Sequence, residues 1–98
     1  MEGFVIEVQE FADVFDALAD TPAEAANMKA RSDLLSALTD LVKSWELTQD
    51  QAAARLGITR PRLNDLVRGK LSKFSLDALV NLTAAAGMTL EIRIAAAA

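Results

Sequence analysis

The stretch Thr48–Lys70, TQDQAAARLGITRPRLNDLVRGK, does most to limit what this chain can fold into, because it starts and stops a helix twice. Thr48 followed by Gln51 is a capping box, so a short helix opens there, over about residues 49–55. Gly57 stops it, since glycine adopts the left-handed conformation that ends helices. Thr59 caps the next helix, over about 60–68. Pro61 is tolerated in its first turn, where the amides have no intrahelical partner. Ile58 and Leu63 are spaced as a hydrophobic staple, and Gly69 ends the helix.

Two helices joined this tightly must cross at close range. Ala53, four residues before Gly57, is small enough for the crossing, and Leu56, Ile58, Leu63 and Leu66 supply the apolar contacts. This is the sequence logic of a helix-turn-helix, in which the second helix enters the DNA major groove. The bland alternative is a helical hairpin with a solvated basic face.

The flanking sequence reads as mainly helical. Thr21-Pro22-Ala23-Glu24 starts a long helix over about 22–45, with Leu34, Leu38, Leu41 and Trp45 as its stripe and Leu35 and Val42 beside it. Ser75 caps a helix over about 76–86, with Phe74 and Leu79 as a second staple and Gly87 as the stop. Phe11, Val14, Phe15 and Leu18 lie at helical spacing within residues 9–20. Residues 4–8, FVIEV, suit a short strand. Met88, Leu90, Ile92 and Ile94 alternate with Thr89, Glu91 and Arg93, the pattern of a half-buried strand over 88–94. A lone strand is marginal. It therefore pairs with the same strand of a second subunit through Leu90, Ile92 and Ile94, with residues 4–8, or with both. The expected fold class is mainly α, a helix-turn-helix bundle with a C-terminal β-strand and a short N-terminal strand. The expected organisation is an acidic arm (1–20), a DNA-binding domain with its C-terminal strand (21–94) and a flexible tail (95–98).

Composition removes several function classes. The 98 residues include no histidine, cysteine or tyrosine. No Ser-His-Asp or Cys-His nucleophile, Cys/His zinc site or disulfide can be built. Glu10, Asp13 and Asp16 lack the compact-loop spacing of a calcium site, so no metal or cofactor is expected. No apolar run approaches a membrane span and no basic leader opens the chain, so a cytoplasmic, non-enzymatic protein is expected.

The formal charge of −4, taken whole, opposes nucleic acid. It is an average. Between Arg55 and Lys73 stand six bases (Arg55, Arg60, Arg62, Arg68, Lys70, Lys73) and one acid, Asp65. Residues 1–28 hold seven acids and no base. Phosphate binding needs local basic density, which the first segment has. The second is either a solvated face or an arm for a basic partner.

The strings LTQDQAAARLG, PRLNDLVRGK and FSLDALVNL, together with FADVFDALADTPAEA, resemble the Xre/lambda-repressor-like family, in its HigA-like antitoxin branch. The resemblance covers about residues 11–94. It implies a five-helix core and a dimeric repressor of a palindromic operator, with a ribonuclease toxin as partner; the alternatives are a stand-alone regulator without a toxin, or primarily a protein-neutralising interaction module. It implies that Gln49 touches a phosphate and that Thr59 and Arg60 face bases. Arg60 stands where the family pattern has glutamine, which shifts the expected base from adenine toward guanine. Pro61 offers apolar contact, for instance to a thymine methyl. Asn64 and Asp65 follow one turn on, Asp65 either reading a cytosine or pairing with Arg62 or Arg68. Arg62, Arg68, Lys70 and Lys73 are expected to hold phosphates. Phe11, Val14, Phe15 and Leu18 are the candidate contacts to the toxin. Trp45, Met28 and Met88 are expected to pack, and Arg55 is as readily a plain surface charge.

Overall fold

A computed structural model describes residues 3–8 and 21–96. Strand β1 (Gly3–Val8) precedes helix α1 (Pro22–Ser44). Helices α2 (Gln49–Leu56) and α3 (Arg60–Val67) follow, then a 3-10 turn (Leu71–Lys73), helix α4 (Leu76–Ala85) and strand β2 (Thr89–Ile94). The long and short helices fall where capping and periodicity put them, within about two residues. The 3-10 turn is an addition to the sequence-based expectation. The helical spacing of residues 9–20, with Phe11, Val14, Phe15 and Leu18, lies outside the described residues.

Each helix starts on a hydroxyl. Thr21, Thr48, Thr59 and Ser75 accept from the backbone N–H three residues on, and the Gln51 side chain returns the bond to the Thr48 N–H. Such a cap satisfies one of the donors a helix start leaves orphaned, and its loss costs about 1 kcal/mol. The stops are equally local. Gly57 and Gly69 both sit at φ +70°. The N–H groups of Gly57 and Ile58 bond Ala54 O and Ala53 O, and those of Gly69 and Lys70 bond Leu66 O and Asp65 O. This is the double bond of a Schellman ending.

The core forms where the helices converge. Leu34, Leu38, Leu63, Leu66, Phe74 and Leu79 are buried almost completely, with Ala53 and Leu56 at the α2–α3 crossing. Trp45, the C-cap of α1, packs on the same cluster while partly exposed, and Met88 does so as well. A polar link crosses the core: Thr39 Oγ1 donates to Leu66 O at 3.1 Å. It shares a carbonyl in the last turn of α3 with the Gly69 N–H, which bonds the same oxygen at 3.0 Å.

The strands settle one of the alternatives left open. β2 pairs with β1 in parallel, Gly3 opposite Thr89 through Val8 opposite Ile94. A parallel pair needs a long crossover, and here the four helices of the described residues lie within it. Residues 3–8, the start of the acidic segment, are thus part of the sheet. The burial of β2 is less than the alternation implies. Ile6 is buried and Leu90 partly so, but Ile92 is 55% and Ile94 89% exposed. The helices cover only the first part of the strand.

Candidate nucleic-acid interface

The ends of α2 and α3 build one surface. Because α2 and α3 are capped and stopped by their own residues, their first turns are fixed relative to each other across a turn centred on Gly57. Thr59, Arg60 and Pro61 head α3 and are exposed, and Gln49 heads α2, exposed as well. Asn64 and Asp65 lie one turn along α3, half-buried. Arg68, Lys70 and Lys73 are exposed beyond its C-terminus.

Arg60 is tethered. Its Nε donates to Gln49 Oε1 at 3.3 Å, and its Nη1 lies 3.7 Å from Asp50 Oδ1. Both charged side chains are well exposed, so the pair adds little stability. Its effect is orientational, since it fixes an otherwise flexible guanidinium at the head of α3. Thr59 Oγ1 accepts from the Arg62 N–H as the cap of α3, which leaves its hydroxyl proton as the group available to a ligand.

Other cations are engaged inside the molecule. Arg62 donates through Nη1 to Lys73 O at 2.7 Å, with its guanidinium 4.1 Å from the centre of the Phe74 ring. It braces the loop after α3. Arg55 lies 3.9 Å over the Trp45 ring. Asp65 pairs with Lys70 at 3.5 Å, in place of the Arg62 or Arg68 considered from sequence. Arg68 and Lys73 have no ion pair among the described residues.

Two contributors escape sequence reasoning. Asp50 sits ten positions from Arg60, with nothing local to mark it as a partner. Arg31 on α1 donates through Nη1 to Leu71 O at 3.4 Å and Phe74 O at 3.3 Å, while its Nε holds Asn27. It ties the 3-10 turn, and thus the basic loop carrying Lys70 and Lys73, to the long helix. No periodicity links residues forty positions apart.

A short capped helix crossed by a second at a glycine turn, with an exposed polar and basic head, defines a helix-turn-helix DNA-binding regulator. A family model described as a helix-turn-helix domain matches residues 17–95, and the chain belongs to that family. No curated protein and no solved structure matches the chain.

Proposed function

We propose that this protein is a sequence-specific transcriptional repressor that binds a palindromic operator as a homodimer and serves as the antitoxin of a toxin–antitoxin pair. The observation that carries the DNA reading is the tethered Arg60 at the exposed head of α3, beside Thr59 and Pro61. In a major groove these residues meet base edges first, and Arg60 offers a bidentate contact to guanine O6 and N7. Asn64 and Asp65 extend the reading surface. Gln49, Arg68, Lys70 and Lys73 contact phosphates, with Arg62 holding the loop they depend on. One such head reads few base pairs, so two heads about 34 Å apart on a two-fold site give a useful target length. The work is occupancy of DNA, with no chemical step.

Selection of bound sequences from randomised duplexes tests this reading. A two-fold consensus containing guanine in each half supports it. Enrichment of no sequence leaves only charge-driven binding and removes the repressor.

The neutralising role rests on the seven acids without a base in residues 1–28, interleaved with Phe11, Val14, Phe15 and Leu18. That composition suits a basic partner such as a ribonuclease toxin. Pull-down of the product of the adjacent open reading frame tests it, with Phe11→Asp/Phe15→Asp as the disrupting variant. Substitution is preferable to truncation because residues 3–8 form β1. Unchanged capture by the variant removes the arm from the account.

A further inference from the structure

Two consecutive residues of α2 grip the guanidinium of Arg60. Gln49 Oε1 accepts from Nε at 3.3 Å, and Asp50 Oδ1 stands 3.7 Å from Nη1. The glutamine alone is enough to orient the group. The carboxylate adds something different, a negative charge at the edge of a surface that is otherwise basic. The side chains of Arg60 and Asp50 are 62% and 73% exposed, so their pair has little to give to folding. Neither contact uses Nη2, and Nη1 lies beyond hydrogen-bond distance of Asp50. The terminal fork of the guanidinium, Nη1 and Nη2, is therefore open to a ligand while both contacts hold.

We propose that Asp50 is a specificity-determining residue of this surface, keeping Arg60 for guanine by denying it to phosphates. The inference rests on the DNA reading above and adds the element that works against the wrong sequence. Free of Asp50, Arg60 is a long, exposed cation, and any duplex offers it a phosphate. Paired with Asp50 it is locally neutral and gains little from a phosphate. To take one it must leave Asp50, and that carboxylate is then unpaired beside a polyanion. Guanine asks for no such exchange. Its O6 and N7 accept from the open fork, and Asp50 keeps its place beside Nη1. The carboxylate therefore costs most on duplexes that give Arg60 no guanine to read. The other acid here, Asp65, is set against Lys70 at 3.5 Å. Asp50 also lies in the first turn of α2, where a carboxylate favours the helix. That role acts on folding and is blind to DNA sequence, so the two are separable.

The test titrates wild type, Asp50→Asn, Arg60→Ala and the double variant. The probes are the duplex enriched by selection, the same duplex with adenine in place of the half-site guanine, and a scrambled duplex, each at several salt concentrations. Asp50→Asn keeps the shape and removes the charge. It should bind the scrambled and adenine duplexes about threefold to tenfold tighter, with the selected duplex changed less, so the ratio between them falls. The salt slope on the scrambled duplex should steepen by about one, because one more cation reaches a phosphate. In the Arg60→Ala background the slope should stay where it was, since the released charge is gone. Thermal melts of the four proteins report any loss at the helix start separately. An unchanged ratio, whether or not every duplex is bound more tightly, overturns the inference and leaves operator reading standing. A slope that steepens equally without Arg60 overturns it too, because Asp50 then acts through another group. A wild type that binds selected and scrambled duplexes alike overturns this inference and the DNA reading together.

Discussion

Arg60, the first residue of α3, donates through Nε to Oε1 of Gln49, the first residue of α2, at 3.3 Å. The bond links the heads of both motif helices and holds the guanidinium before any DNA arrives. Arg60→Ala should therefore cost roughly 1–3 kcal/mol at the selected operator and relax the preference at one base pair per half-site. Gln49→Ala should lose less affinity but blur the same base pair, because the freed arginine must be ordered during binding. Titration of both single variants and the double variant against operator and mismatched duplexes checks the coupling. Strictly additive losses would mean that the tether has no part in reading.

Lys70 and Arg62 should separate by the kind of defect they cause. Lys70 is exposed and only loosely paired with Asp65, so Lys70→Ala should weaken all DNA about equally and flatten the slope of affinity against salt by about one. Arg62 lies on Phe74 and bonds Lys73 O, so Arg62→Ala should lower the thermal midpoint as well as DNA affinity. Salt titrations and thermal melts on the two variants distinguish them.

Thr39 is the sole polar side chain shown to bond from α1 to the backbone of α3 among the described residues. Thr39→Val keeps the shape and removes the donor to Leu66 O. That carbonyl retains the Gly69 N–H at 3.0 Å, so the loss should be near 1 kcal/mol rather than the full penalty of an orphaned buried group. Urea unfolding of the variant measures it.

Gly3 is needed for a different reason from the helix-stopping glycines. A Cβ on it would lie 2.4 Å from Thr89 O, so any side chain forces β1 away from β2 at the first paired position. Gly3→Val should raise amide exchange along β2 and leave the protection of α2 and α3 near wild type. Full protection of β2 in the variant would mean that the strands pair without this close approach.

Most of the helix-turn-helix was legible because it is written locally. Caps at Thr48 and Thr59, stops at Gly57 and Gly69, and a small residue at 53 act within a few positions of themselves, and each is found where its chemistry requires. The division of labour among the cations was not legible. Arg60, Arg62, Arg68, Lys70 and Lys73 look alike in a charge count. Only the packing of Phe74 beneath Arg62, and of Gln49 and Asp50 beside Arg60, separates these two engaged guanidiniums from the exposed Arg68 and Lys73.

The sequence by itself determined where the four α-helices of the described residues begin and end, and that a +5 segment stands apart from an acidic one. Those outcomes depend on hydrogen bonds three to five residues long and on simple proximity along the chain. The tertiary structure decided how β1 and β2 meet, that Arg31 holds the basic loop, and that Ile92 and Ile94 lie beyond the cover of the helices. These depend on contacts between residues tens of positions apart, and on how far a bundle of given helix lengths reaches over its sheet. A hydrophobic pattern states that a residue needs cover, but only the assembled fold shows whether its own chain supplies it.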